Sequence, residues 1–168
     1  VVDTREQTPL PFFHLTTQTG TLATGDYSVL GMEDDFSVER KSMSDLLGSL
    51  TQERDRFMRE IQRLRAYAVR LLLVVGTGAE LTRLLTRRRV SCAAIQGSLA
   101  ALEARGIPVA FYPTPERAAE RVEAMAVYAW RNKMRGIVGT EIPDWARLDM
   151  ARRMQAGGAL CDGKEVTA

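Results

Sequence analysis

The sequence has 168 residues, 45% of them apolar, enough for one buried core and about the size of a single domain. Its formal charge of +2 is close to balance, so bulk charge alone names no polyanion partner. No apolar run approaches the roughly 20 residues of a membrane span, and Cys92 and Cys161 are too few and too far apart for a disulfide framework or a cysteine metal knuckle; a reducing, cytoplasmic setting without a membrane is expected.

Val1 to Asp3 reads as the end of a strand. The chain opens without methionine and already strand-like, so a short leading segment carrying part of that strand is expected before it. Pro9 and Pro11 break regular structure and impose a loop. Thr21–Val29, interrupted by Gly25, and Phe36–Lys41 read as two strands of a meander joined by the turn-rich stretch 31–35.

Helical signals begin at Ser42. Ser42 with Asp45 resembles a capping box ahead of Leu46, Leu47 and Leu50, and Phe57, Ile61, Leu64 and Ala68 repeat at helical spacing over about Gln52–Ala68. Leu71–Val75 is an aliphatic run suited to a central strand covered on both faces. Gly76-Thr77-Gly78 lacks the further residues of a nucleotide loop and reads as a turn. A helix over Ser91–Arg105, a strand over Ile107–Tyr112 and a helix from Thr114-Pro115 to about Met134 follow, with a last short helix from Pro143 to about Gln155 and an unstructured polar tail. The alternation predicts an α/β architecture with a mixed central sheet flanked by helices.

The chemistry-bearing stretch is Gly25-Asp26-Tyr27 followed by Val38-Glu39-Arg40-Lys41. Alternate residues of a strand share a face, so Glu39 and Lys41 project together while Arg40 points away. Two carboxylates can hold Mg²⁺, which keeps several waters and takes substrate oxygens, and a lysine beside them can stabilise developing charge on a phosphate or position the attacking water. Taken alone, an acid-x-lysine tripeptide also fits a solvated surface hairpin, with Asp26 in a turn.

These residues do not stand alone. Gly25-Asp26, Glu39-Arg40-Lys41 and Asp45, with Val2-Asp3-Thr4-Arg5-Glu6 before them and Asp45-Leu46-Leu47-Gly48-Ser49-Leu50 after, resemble the nuclease domain of the XPF/Hef family of structure-specific endonucleases. The resemblance is specific over residues 1–75 and architectural beyond. It implies a restriction-endonuclease-like fold over residues 1–140, with 141–168 as a C-terminal helix and polar tail, and a Mg²⁺- or Mn²⁺-dependent endonuclease acting on branched, flap or single-strand-containing DNA in repair or recombination.

Carried over by position, Asp26 and Glu39 are metal ligands, the Arg40 carbonyl completes the site, and Lys41 is the base or charge stabiliser. Asp3 and Glu6, counted among the catalytic residues, flank the metal from the first strand and its following loop, Asp3 as a further ligand; Arg5 and Arg40 contact phosphate or brace the site. The family's arginine after the Ser-Leu pair corresponds to Arg54 or Arg56, both assigned to DNA binding. Nothing after residue 113 resembles the helix-hairpin-helix module of larger members, which suggests a small prokaryotic or viral version, nucleoid-associated in its host.

Several residues also have plain structural roles. Ser42 and Asp45 cap a helix. His14, the sole histidine, reads as a loop residue. The arginines from Arg54 to Arg70 alternate with acids and divide between a salt-bridged face and a phosphate track. Val122, Met125, Tyr128 and Trp130 form one apolar helical stripe, either core or the surface of a homodimer. A non-catalytic DNA-binding scaffold is the rival function, and a nuclease active only with a repair or replication partner is a third.

Overall fold

A computed structural model describes residues 1–138, with side chains to residue 136; the expected helix from Pro143 and the polar tail lie outside them. Residues Val1–Trp130 form one compact unit, and the chain from Arg131 belongs to a second. The elements in order are β1 (Val2–Asp3), β2 (Thr19–Gly20), β3 (Phe36–Ser42), α1 (Met43–Leu50), α2 (Arg54–Leu64), β4 (Val69–Val75), α3 (Gly78–Arg88), α4 (Cys92–Ala104), β5 (Val109–Tyr112) and α5 (Pro115–Val138).

β3, β4 and β5 pair in parallel in that order, and β1 pairs in parallel with β2. Tyr27 joins the two sets by antiparallel bridges to Val2 and to Val38, which makes the sheet mixed. This is the expected α/β architecture, with one correction: Thr21–Val29 forms no strand beyond the Tyr27 bridge. The reason is local. Asp26 N–H and Tyr27 N–H both donate to the Val38 carbonyl, at 2.8 and 3.1 Å, the two-against-one pattern of a bulge, while Leu22 N–H is diverted to the Asp3 carboxylate.

β4 explains why the sheet needs helices on both sides. Leu71 and Leu73 face a core made with Val2, Tyr27, Val38, Ala118, Val122 and Ala126, so α5 covers that side. Leu72 and Val74 face the opposite core, with Leu46 and Leu47 of α1, Phe57 and Ile61 of α2 and Leu102 of α4. All four β4 side chains are essentially inaccessible. Each contributes about 1.5–3 kcal/mol relative to an exposed position, so neither layer is dispensable.

Helix boundaries follow the caps. Ser42 Oγ accepts from Asp45 N–H at 3.1 Å and donates to Asp45 Oδ2 at 2.7 Å, which starts α1 and bears out the capping role. α2 begins at Arg54 and ends at Leu64, shorter than the periodicity suggested, because Thr51 and Glu53 N–H groups turn back to the Gly48 carbonyl. α3 is an element that the turn-like Gly76-Thr77-Gly78 concealed: Thr77 Oγ1 accepts from Glu80 N–H at 3.2 Å and caps it. α5 divides the expected apolar stripe. Val122 and Met125 pack in the core, whereas Tyr128 and Trp130 are 47% and 43% exposed.

Candidate active site

Gly25 sets the position of Asp26. It has φ of +81°, and a Cβ there would meet Ser37 Oγ and lie 2.9 Å from the Val38 carbonyl oxygen, so only glycine lets this loop lie flat against β3. The next residue then reaches the strand: Arg40 N–H donates to Asp26 Oδ2 at 2.7 Å. Val38 and Arg40 present their backbone groups on the strand edge away from β4, so the Arg40 carbonyl leaves on the same edge as the N–H that holds Asp26. Burial and the neighbouring Glu39 carboxylate push Asp26 up to about 7.

Glu39 and Lys41 share the other face of β3, in register with Leu72 and Val74, as the strand alternation predicts. Lys41 Nζ lies 2.9 Å from Glu39 Oε1 and 3.5 Å from Glu60 Oε2 of α2, and 5.2 Å from the centre of the buried Phe57 ring. Burial pushes Lys41 down, but the two carboxylates outweigh it and hold the ammonium above its ordinary value. Glu60 was not singled out by the sequence. Its spacing of three from Phe57 and four from Arg56 could have flagged it.

Asp3 and Glu6 are occupied by partners within the protein. Asp3, 1% exposed, accepts from Leu22 N–H, Arg5 N–H and the Arg5 guanidinium at 2.6–3.1 Å, and these donors, Arg5 foremost, pull its carboxyl down to about 2. Both Asp3 oxygens are engaged, so it braces Arg5 rather than standing free beside Asp26 and Glu39. Glu6 grips the Arg40 guanidinium in a bidentate pair at 3.0 and 3.1 Å. Tyr27 hydroxyl donates to Glu6 at 3.3 Å and accepts from Leu10 N–H at 3.0 Å; burial raises its pKa.

The two candidate arginines of α2 diverge. Arg56 reaches Glu53 and Glu60 at 3.3 Å, which connects it to the Lys41 cluster. Arg54 instead approaches Ser98 of α4 at 3.4 Å. His14 is exposed in a loop whose Phe13, His14 and Leu15 N–H groups all donate to Glu123 Oε1 at 2.7–3.0 Å. Glu123 is a structural clasp that the sequence did not reveal, since its partners lie more than a hundred residues away.

The ERCC4 domain profile matches residues 2–125, three quarters of the chain. The chain belongs to the ERCC4-domain family. This ERCC4 domain is also similar to solved structures of XPF from Aeropyrum pernix. To one it has 27% identity and a TM-score of 0.64, covering 84% of this chain and 64% of that one. To the same protein in complex with DNA it has 26% identity and a TM-score of 0.53, covering 68% and 53%. The ERCC4 domain therefore spans between half and two thirds of the length of those relatives. Among curated proteins nothing matches it.

Among the described residues, no three or more His, Cys, Asp or Glu side chains form a group that could hold a metal ion. The ERCC4 domain does place the Asp26 carboxylate within the field of the Glu39 carboxylate, which adds to burial in raising Asp26, with the Arg40 carbonyl on the same strand edge. That donor set suits a hard divalent cation that keeps several waters and needs only one or two carboxylates. No helix among the described residues is long and apolar enough to cross a membrane.

Proposed function

We propose that this ERCC4 domain is a Mg²⁺- or Mn²⁺-dependent endodeoxyribonuclease. The observation that carries this reading is Asp26, held by the Arg40 N–H at 2.7 Å and raised to about 7 by burial and by the Glu39 charge, a carboxylate whose ionised form a bound cation would favour. Asp26 and Glu39 would hold the cation, with the Arg40 carbonyl as a further oxygen donor. A bound divalent cation would neutralise phosphate oxygens and make a water more acidic.

The protein's own groups do the rest. Lys41 stabilises the charge that develops on the phosphate, or orients the attacking water, from a position fixed by carboxylates and Phe57. Arg5 and Arg56, whose side chains are 66% and 70% exposed, can draw in the DNA backbone. Asp3 holds Arg5, and Glu6 holds Arg40, so each stiffens the cluster without touching the cation. Ser42 and Asp45 start α1 immediately after Lys41 and fix where the strand ends. Phosphate contacts position without reading bases, which favours recognition by shape, and the relation to XPF supports branched, flap or single-strand-containing DNA as substrate. We also place the nuclease unit within residues 1–140 and its action in repair or recombination in a prokaryotic or viral host.

The test is paired substitution. Asp26→Ala and Lys41→Ala should each abolish cleavage of a labelled flap at a temperature where circular dichroism shows the variant folded; Lys41→Ala should also melt lower, because Glu39 and Glu60 lose their partner. Full activity in either variant would remove the mechanism.

A further inference from the structure

We propose that Glu60 is a positioning residue for Lys41, holding its ammonium from α2 while Glu39 holds it from its own strand. Glu60 Oε2 is 3.5 Å from Lys41 Nζ, and Glu60 Oε1 is 3.3 Å from Arg56 Nε, so one carboxylate links the strand lysine to an exposed helix arginine. This is not a solvated surface pair: the Lys41 and Glu60 side chains are only 12% and 21% exposed. The helix that carries Glu60 is fixed by Phe57, Ile61 and Leu64, each 1% exposed, and Phe57 also sits under the ammonium at 5.2 Å.

The proposal rests on the nuclease function above and deepens it. Glu39 has two claims on it there, the cation and Lys41. When Glu39 turns its charge to a cation, Lys41 loses its nearer carboxylate, and a four-carbon stem has no geometry of its own to keep the ammonium in place. Glu60 is the carboxylate that remains. It belongs to a different element and is not engaged by Asp26 or the Arg40 backbone, so it can hold Lys41 in both situations. Arg56 neutralises Glu60 from the outer side and keeps its carboxylate facing Lys41.

The experiment combines kinetics with a direct view of the ammonium. The sequence holds three lysines, at 41, 133 and 164, so a Lys side-chain ¹³Cε/¹⁵Nζ spectrum is simple, and Lys41→Arg assigns the signal. In the parent, the Lys41 signal should stay displaced from that of a free lysine both without divalent cation and with saturating Mg²⁺. In Glu60→Ala with Mg²⁺ it should collapse to the free-lysine position, and in Glu60→Gln it should remain displaced, because the amide oxygen still accepts from Nζ. On flap DNA, Glu60→Ala should lower kcat by about 10- to 100-fold with KM within about twofold. Glu60→Gln should recover most of that loss, and Glu53→Ala, which breaks only the outer Arg56 pair, should leave kcat within about twofold. A Lys41 signal that does not respond to Glu60→Ala overturns the proposal, as does equal loss in the Ala and Gln variants. If the parent cuts no DNA under any metal while the Lys41 signal still depends on Glu60, the positioning stands and the nuclease function alone fails.

Discussion

The Arg40 backbone N–H and the Asp26 carboxylate, 2.7 Å apart, tie the loop after Gly25 to the middle of β3. This bond orients one carboxylate oxygen but does not remove the cost of burying its charge, to which the neighbouring Glu39 adds, and Asp26 is pushed up to about 7. A native value above the ordinary 3.8 means the folded state binds more protons than the unfolded state between about pH 4 and 7. Cation-free stability therefore falls as pH rises through that window. Asp26→Asn keeps an acceptor for the Arg40 N–H and removes the charge, so it should gain about 1–2 kcal/mol at pH 8 while losing at least about 100-fold in cleavage. Urea denaturation at pH 5 and 8 without divalent cations, beside a cleavage assay, checks both.

Asp3 has the opposite sign. Its carboxyl is pulled from 3.8 down to about 2, so its stabilising contribution is complete above the ordinary carboxylate value and is lost as the pH falls through 2. The shift corresponds to about 2 kcal/mol. Asp3→Asn should be less stable than the parent by about that amount at pH 7, and the difference should close near pH 2 in acid-unfolding curves.

Gly25→Ala tests whether the loop backbone is what delivers Asp26. The added methyl would meet Ser37 Oγ and the Val38 carbonyl at a residue whose φ is +81°. Calorimetry should show a loss of about 1–3 kcal/mol, with cleavage falling by more than the stability loss accounts for, because Asp26 is displaced from Arg40 N–H.

Tyr27→Phe isolates one buried hydroxyl. It leaves the Leu10 N–H without its acceptor and Glu6 without one donor. A cost of about 1–3 kcal/mol is expected from denaturant midpoints, with only a modest effect on cleavage, since the Glu6–Arg40 pair survives.

What the sequence disclosed depended on how local the physics was. β4 was legible because four consecutive inaccessible aliphatics need helices on both faces, and α1 was legible because Ser42 and Asp45 satisfy each other within one turn. The shared face of Glu39 and Lys41 followed from strand alternation. Thr21–Val29 misled because its alternation was overridden by the Gly25 bulge and by Asp3 capturing Leu22 N–H, a contact nineteen residues apart. α3 was hidden by two glycines around Thr77, although Thr77 and Glu80 carried a capping signal. Asp3, expected as a site acid, has both oxygens engaged by Arg5 and the Leu22 N–H, partners that the sequence did not disclose. The link from Glu60 to Lys41 and the Glu123 clasp were invisible because those partners come from other parts of the chain, although the i,i+4 spacing of Arg56 and Glu60 was legible.

In the proposed nuclease, Asp26 and Glu39 make a cation-dependent site for cutting DNA. Its most direct test is cleavage of labelled flap, fork, single-stranded and duplex DNA by the parent and by Asp26→Ala, each with Mg²⁺, Mn²⁺ or EDTA. Cutting that needs the metal, disappears in EDTA and is lost in the variant is the expected result, and the relative rates rank the substrates. Cutting that survives EDTA or the substitution contradicts the claim, as does binding without cutting under every metal, which instead favours a non-catalytic DNA-binding scaffold.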